Sequence, residues 1–208
     1  MRPDIRLYAW RMNRKFMEAQ TGNSVSSESE LLILVDPDDR EAGNLSKAEC
    51  HDGDGILHRA FSLFLFNDQG ELLLQQRSAE KRLWPMYWSN TCCSHPRQGE
   101  SMQVATERRL QQELNTAAAL KFIYKFEYQA RFGDLGSENE LCWVYLGRLE
   151  WEAIANDSEI AALRFVSAEE LSQEIETEPE QLTPWFKMEW QRLNKDFAEQ
   201  LGRYTKPR

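Results

Sequence analysis

Apolar residues in the first half of the chain occur in short runs of strand length. The runs at Leu31–Val35, at residues 61–66 and at residues 72–76 each predict a β-strand. Residues 67–70, Asn-Asp-Gln-Gly, separate the last two runs and favour a turn, so we predict a hairpin. Earlier, the sequence Asp36-Pro37-Asp38-Asp39 predicts another turn.

The middle of the chain combines a helical pattern with two longer strand patterns. Gly99-Glu100-Ser101 opens a predicted helix that continues to about Leu114, with Val104 and Leu110 expected on one side. Residues 122–132 and 141–149 are predicted strands, with a loop over 133–139 between them.

Two further helices are predicted near the C-terminus. Ser167 and Glu170 have the spacing of a capping box, in which each satisfies a backbone N–H of the first turn. Thr183-Pro184 begins the last helix, since proline is favoured at the first helical position. Its expected apolar face consists of Trp185, Met188, Trp190, Leu193 and Phe197. Strands mixed with helices predict an α+β fold with a mixed sheet.

The N-terminal segment has a different pattern. Residues 1–20 are predicted to be helical, because Ile5, Tyr8, Met12 and Phe16 recur at helical spacing. A cleaved organelle presequence is an alternative, because four arginines make the segment basic, although Asp4 and Glu18 interrupt that pattern. Residues 21–30 are polar and predict a linker. We therefore divide the chain into an N-terminal extension over 1–30 and one domain over 31–208.

Composition and charge exclude several classes of protein. No apolar run approaches the roughly 18 residues that a membrane-spanning helix needs. The net charge of −9 argues against non-specific nucleic-acid binding, although a small anion needs only a few local cations. The four cysteines include no Cys-x-x-Cys pair, which favours reduced thiols in a cytoplasmic protein. We expect a monomer or a weak homodimer.

Candidate metal ligands are few and occur in polar surroundings. The three histidines are His51, His58 and His95, and any one alone is more often a surface or hydrogen-bonded histidine than a ligand. Glu138 and Glu140 lie two residues apart, so an extended backbone would place both carboxylates on one side. Three imidazoles and two carboxylates suit a divalent ion such as Zn²⁺ or Mn²⁺. Their spacing alone does not establish that they converge.

Cys93 is the candidate reactive thiol. It lies two residues before His95, so an extended segment would place both side chains on one side. A thiol near a metal and cations has a lowered pKa and can exchange protons near neutrality. The alternative for a single cysteine is a small buried apolar residue, which is the role we expect for Cys92.

Several separated motifs resemble one known family. Residues 90–96, Asn-Thr-Cys-Cys-Ser-His-Pro, are preceded by Trp84-Pro85 and followed by Gly99-Glu100, and they resemble the active-site block of type I isopentenyl-diphosphate isomerases. Glu138-Asn139-Glu140 resembles that family's second block, and His51 and His58 resemble its paired histidines. The resemblance extends from about Leu31 to the last helix. It implies a Nudix-like mixed sheet flanked by helices, with residues 1–30 as an addition.

The chain departs from the general Nudix signature at positions that matter for hydrolysis. Glu100 is retained, but Ser94 stands at the first glycine position. Arg109 and Gln112 replace two acidic residues that Nudix hydrolases use to hold metal. The resemblance therefore disfavours phosphate hydrolysis. Asn115 replaces a glycine at the helix end, where asparagine is the second choice.

The resemblance implies a role for each matching residue. One divalent ion, Zn²⁺ or Mn²⁺, would be held by His51, His58, His95, Glu138 and Glu140. Glu113 would help to hold a Mg²⁺ ion bound with the substrate diphosphate. Cys93 and Glu140 would form the catalytic acid/base pair, with Tyr128 hydrogen-bonded near Glu140. The implied substrate-binding residues are Lys47, Arg77, Lys81, Arg109 and Trp185.

The implied reaction is the conversion of isopentenyl diphosphate into dimethylallyl diphosphate, in isoprenoid biosynthesis. Two other hypotheses remain open at this point. One is a Nudix-type diphosphate hydrolase, against which Arg109 and Gln112 count. The other is a non-catalytic metal-binding or interaction module that uses the acidic surface.

Overall fold

The structure is a computed structural model that describes residues 25–208. The helix expected over residues 1–20 and the first part of the expected linker lie outside the described residues. Residues 25–30 contact the domain directly. The Glu30 carboxylate pairs with Arg97 at 2.5 Å, and the backbone N–H of Lys47 donates to the Glu30 carbonyl. A domain boundary at residue 30 therefore cuts through these contacts.

Within residues 25–208, strands form one mixed sheet and helices cover its faces. The strands are β1 (Leu31–Val35), β2 (Glu41–Ser46), β3 (His58–Phe66), β4 (Leu72–Arg77), β5 (Trp88–Ser89), β6 (Cys92–Ser94), β7 (Lys121–Arg131), β8 (Ser137–Arg148) and β9 (Ile160–Val166). The helices are α1 (Lys47–His51), α2 (Met102–Leu114), α3 (Ala168–Thr177), a 3-10 turn (Pro179–Gln181), α4 (Pro184–Asp196) and α5 (Ala198–Leu201). The expected α+β architecture is confirmed.

Strand β3 lies at the centre of the sheet. It pairs in parallel with β8, in a register that places His58 opposite Glu140. It also pairs antiparallel with β6, where Ser62 lies opposite Cys93. Strand β7 joins the other edge of β8, and Tyr128 lies opposite Glu140 there. These registers bring together residues that are far apart in the sequence.

The two faces of β3 pack against different helices. Phe61, Leu63 and Leu65 belong to the cluster that includes Leu110 and Leu114 of α2. The intervening residues Phe64 and Phe66 belong to the cluster built on α4, with Trp185, Phe186, Trp190 and Leu193. Because both faces are buried, β3 is apolar from Ala60 to Phe66 except at Ser62, rather than alternating.

Most predicted elements are confirmed, with local differences. The hairpin between β3 and β4 is present, and Ser101 and Ser167 cap α2 and α3 as expected. Asn115 ends α2 in the left-handed conformation, with φ of 46°. The loop between β7 and β8 is shorter than predicted, because β8 already begins at Ser137.

Two apolar residues do not lie where the helical patterns placed them. Val104 is 52% exposed while Leu110 is buried, because six residues along a helix correspond to about 240° of rotation. In α4, Met188 is 38% exposed and Phe186 is buried instead. Strands β2, β5, β6 and β9 were not predicted; two of them have only two or three residues. None of the helices in the described part is long and apolar enough to cross a membrane.

Candidate active site

A cavity of about 240 Å³ opens beside the ends of β3, β6 and β8. Most of the residues proposed from the sequence line it. Those that do are Lys47, His51, Arg77, Lys81, Cys93, His95, Arg109, Tyr128, Glu138, Glu140 and Trp185. His58 lies in the group of candidate ligands but is fully buried, and Glu113 does not line the cavity.

The three histidines and two glutamates converge at one end of the cavity. Each offers a ligand atom, and these atoms all lie within 4.8 Å of one another. His51 ends α1, His58 begins β3, and His95 follows β6, while Glu138 and Glu140 point the same way from β8. The predicted clustering is confirmed.

Backbone carbonyls fix the orientation of two of the imidazoles. Nδ1 of His51 lies 2.6 Å from the Lys47 carbonyl, and Nδ1 of His58 lies 2.7 Å from the Ile56 carbonyl. A neutral imidazole that donates from Nδ1 has its lone pair on Nε2. In both residues Nε2 faces the cluster, which is the arrangement typical of metal-ligating histidines.

The cluster is electrostatically suited to a cation. Nε2 of His51 lies 2.7 Å from Oε2 of Glu138, which is a hydrogen bond only when His51 is protonated. Within residues 25–208, Nε2 of buried His58 has no hydrogen-bond partner. A largely buried group of facing lone pairs and carboxylates fits a divalent ion.

The pKa directions show how strongly these groups interact. Burial and the neighbouring Glu138 raise the pKa of Glu140 well above its usual value. Burial also lowers the pKa of His58 to about 4, assisted by His51. Burial alone would raise the pKa of Glu138, but the charge of His51 holds the pKa of Glu138 well below its usual value. Two adjacent carboxylates therefore do not ionise together without added positive charge.

Cys93 lies on the floor of the same cavity, surrounded by polar groups. Its Sγ lies 2.6 Å from Oδ1 of Asn90, which accepts the thiol hydrogen. Nε1 of Trp185 donates to Sγ at 3.2 Å, and Oγ of Ser89 lies 3.6 Å away. These contacts fix the direction of the thiol. Cys92 is fully buried among apolar residues on the other face, as expected.

The acidity expected of Cys93 differs from that in the structure. Burial raises the pKa of the Cys93 thiol to about 12, and the charge of Glu189 acts in the same direction. Donors from Ser89, Ser62 and Trp185 oppose this shift but do not outweigh it. The surrounding protein groups alone therefore favour the protonated thiol, whereas the lowered pKa was predicted for a thiol beside a bound metal ion and cations.

The cations form a second group along the cavity. Nζ of Lys47 contacts Ser26 and Glu28, at 2.8 and 3.4 Å. Arg77 donates to the backbone carbonyls of Leu83 and Trp84, and its guanidinium carbon lies 5.3 Å from the Trp185 ring centroid. This places a cation close to the aromatic wall of the cavity.

Arg109 and Glu113 are tied to each other by a buried ion pair. Nε of Arg109 donates to Oε1 of Glu113 at 2.7 Å, and the Cys92 thiol reaches the same oxygen at 3.5 Å. Arg109 is only 3% exposed and also contacts Glu159. Glu113 therefore lies behind the cavity wall rather than in the histidine cluster.

Several polar residues of the site were not identified from the sequence. Asn90, Ser89 and Ser62 are buried and surround Cys93, while Glu159 lines the cavity beside Lys81. In the sequence, Asn90 stands out only as part of the motif over residues 90–96. No local sequence pattern marks Glu159 as buried, so its place in the cavity wall follows only from the structure.

The chain is similar to proteins of known family and to solved structures. The NUDIX domain profile matches residues 56–186. The chain belongs to the NUDIX family. An isopentenyl-diphosphate Delta-isomerase of Photorhabdus laumondii is 38% identical over 83% of this NUDIX chain and 99% of the relative. One from Serratia proteamaculans is 42% identical, covering 76% and 87% of the two chains. The chain is thus also a member of the isopentenyl-diphosphate Delta-isomerase family.

Solved structures support the NUDIX fold. A Deinococcus radiodurans protein superposes with a TM-score of 0.61 at 23% identity, over 84% of this chain and 99% of the other. A MutT NUDIX hydrolase from Burkholderia pseudomallei gives a TM-score of 0.53 at 17% identity, over 66% and 98%. At these identities the likeness establishes the fold alone.

Proposed function

We propose that this protein isomerises isopentenyl diphosphate to dimethylallyl diphosphate, a step of isoprenoid biosynthesis. The observation that supports this best is a single cavity that holds Cys93, Glu140 and Trp185 together with several cations. Family membership points to the same reaction, since the relatives named above are isopentenyl-diphosphate Delta-isomerases.

The reaction moves a double bond by adding one proton and removing another. Protonation of the terminal alkene gives a tertiary carbocation, and loss of a proton from the neighbouring carbon completes the shift. We propose that Cys93 and Glu140 exchange these protons. Burial raises the pKa of the Cys93 thiol, so this group retains its proton in the cavity. Tyr128 orients the Glu140 carboxylate by its hydrogen bond.

Water would quench the carbocation, so the cavity has to exclude it. Trp185 is 2% exposed and donates from Nε1 to Sγ of Cys93, which supports a position for its ring next to the reacting carbon atoms. An aromatic face stabilises a desolvated cation by about 2 kcal/mol or more. This is the role we propose for Trp185.

We propose that His51, His58, His95, Glu138 and Glu140 hold one divalent ion, Zn²⁺ or Mn²⁺. When bound, such an ion supplies positive charge that orients and polarises its ligands. We propose a Mg²⁺ ion for the substrate diphosphate, with Glu113 contributing through Oε2, since Arg109 and Cys92 occupy Oε1. Lys47, Arg77, Lys81 and Arg109 are the proposed diphosphate contacts.

The proposed catalytic unit is the domain over residues 31–208, with residues 1–30 as an extension. The contacts of Glu30 and Glu28 with Arg97 and Lys47 support the inclusion of residues 25–30 in any shortened version. A monomer or weak homodimer stays a prediction, which sedimentation of the purified protein tests.

The decisive experiment is incubation of the protein with isopentenyl diphosphate and Mg²⁺, followed by NMR. Appearance of dimethylallyl diphosphate, without release of phosphate, supports the proposal. Release of phosphate from nucleoside diphosphate derivatives, with no isomer formed, would support a hydrolase instead. Arg109 and Gln112 argue against that alternative, because they replace two acidic residues that Nudix hydrolases use to hold metal.

A further inference from the structure

Ser62 is a polar residue in a strand that is otherwise apolar from Ala60 to Phe66, and the proposed mechanism does not use it. It is 1% exposed and lies opposite Cys93 in the register of β3 and β6. Its Oγ lies 3.7 Å from Sγ of Cys93 and 3.4 Å from Sγ of Cys142, on the neighbouring strand β8. A buried hydroxyl costs free energy unless it is hydrogen-bonded, and the two thiols provide such partners.

The hydrogen bonds of Asn90 set the direction of the hydrogen bond between Ser62 and Cys93. Nδ2 of Asn90 donates to the carbonyls of Leu63 and Cys92, at 3.2 and 3.1 Å. This fixes the amide so that Oδ1 faces Sγ of Cys93 at 2.6 Å and can only accept. The single thiol hydrogen of Cys93 is therefore used on Asn90, and the sulfur is left as an acceptor for the Ser62 hydroxyl.

The hydrogen bonds on the other side of Ser62 agree with this direction. Ser62 donates its one hydrogen to Cys93, so its oxygen accepts the thiol hydrogen of Cys142. Sγ of Cys142 also lies 3.5 Å from Oε1 of Glu189, which is fully buried. Burial raises the pKa of Glu189 to about 8, so this carboxyl holds a proton at neutral pH. Glu189 therefore does not compete as an anion for the Cys142 hydrogen, which is left for Ser62.

We propose that Ser62 is a positioning residue, which holds the Cys93 sulfur by a donated hydrogen bond and stabilises the negative charge that develops there during proton transfer. When Cys93 protonates the alkene, the proton leaves Sγ, the sulfur keeps the electron pair, and Ser62 keeps its own proton. A hydrogen bond to an ionised acceptor is stronger than one between neutral groups, so this contact is strongest as the proton leaves. This inference rests on the proposed function, with Cys93 as the group that adds the proton.

Steady-state kinetics of Ser62→Ala and Ser62→Thr test this role. Alanine removes the donor, so we expect kcat for isopentenyl diphosphate to fall about tenfold, while KM and the bound metal stay unchanged. Threonine retains a hydroxyl and suits a strand, so its kcat should stay within about threefold of wild type. Equal losses of kcat in the two variants, or a raised KM in place of a lowered kcat, would overturn the inference.

Thr106→Val is the matched control, because it removes another buried hydroxyl. The Thr106 hydroxyl donates to the Gln103 carbonyl within α2, and Thr106 does not line the cavity. Valine has nearly the same shape as threonine, so kcat should match that of wild type. A loss of kcat as large as in Ser62→Ala would contradict a specific role of Ser62.

Infrared spectroscopy of the Cys93 S–H stretch tests the hydrogen bond without turnover. The Cys93 band is the difference between spectra recorded with and without Cys93→Ala, in the wild type and in Ser62→Ala. A thiol that accepts a hydrogen bond donates its own more strongly, so loss of the Ser62 donor should shift the band to higher wavenumber. An unshifted band would overturn the inference even if the protein isomerises its substrate. A shifted band without any isomerisation would refute the proposed function alone.

Discussion

Tyr128 and Glu140 lie directly opposite each other on β7 and β8, and the Tyr128 hydroxyl lies 2.6 Å from Oε2 of Glu140. The other oxygen, Oε1, lies 2.8 Å from Nε2 of His95. The two oxygens of one carboxylate thus face different groups. Oε1 belongs to the imidazole cluster, and Oε2 accepts a hydrogen bond from the Tyr128 phenol at the cavity wall.

The hydrogen bond from Tyr128 to Oε2 of Glu140 predicts the effect of Tyr128→Phe. Loss of the hydroxyl removes the hydrogen bond that orients Glu140, so kcat should fall about tenfold to 100-fold, while the metal content stays unchanged. Steady-state kinetics together with elemental analysis measure both quantities. A variant that loses its metal would show that Tyr128 supports the cluster rather than the proton transfer.

Cys93→Ala removes one of the two proposed proton-transfer groups. We expect turnover of isopentenyl diphosphate to become undetectable, with the fold and the bound metal largely retained. Cys50→Ala is the control, because Cys50 is also a buried free thiol and does not line the cavity. Near-normal activity of Cys93→Ala would refute the proposed role.

His58→Ala removes the candidate ligand that is fully buried. Its Nε2 has no hydrogen-bond partner within residues 25–208, so a metal is the partner we expect. Wild-type protein should bind about one Zn²⁺ or Mn²⁺ per chain, with affinity lower by at least about 100-fold in the variant. Equal metal content in the two purified proteins would contradict the proposed site.

Substitutions of Trp185 separate its ring face from its N–H. Trp185→Phe retains an aromatic face but loses the donor to Cys93, whereas Trp185→Leu loses both. If the face stabilises the carbocation by about 2 kcal/mol, kcat of the leucine variant should lie about 30-fold below that of the phenylalanine variant. Similar kcat values in both would assign Trp185 to packing alone.

The buried carboxyl group of Glu189 should make the free energy of unfolding depend on pH. It is fully buried in α4, and burial raises its pKa to about 8 from an ordinary value of 4.5. Between these values the folded chain holds the proton and the unfolded chain does not, so stability falls as the pH rises. Relative to wild type, Glu189→Gln should gain up to about 1.4 kcal/mol per pH unit in this window.

Urea unfolding of the two proteins at pH 5.5, 6.5 and 7.5 measures this difference. The gap in the free energy of unfolding should widen in favour of Glu189→Gln at each step. The exposed Glu180, replaced by glutamine, is the control and should give a curve parallel to wild type. A parallel curve for Glu189→Gln would contradict the prediction.

Much of the site could be predicted from side-chain chemistry in the sequence. The family resemblance of the histidine and glutamate motifs implied one metal cluster, and these five side chains converge in the structure. The hairpin, the capped helices and the mixed sheet also followed from local patterns. The hairpin and the helix caps depend on residues close in the sequence, whose hydrogen bonds and turns the local pattern controls.

Other properties depend on pairings between distant segments. The parallel register of β3 and β8 places His58 beside Glu140, 82 residues later, and no local pattern encodes that register. Burial is likewise a property of the assembled chain. It raises the pKa of Cys93, opposite to the direction expected from its sequence neighbours, and it encloses Glu159 between Lys81 and Arg109. The sequence determined which groups are available, and packing decided their distances and solvent exposure, on which their charge and acidity depend.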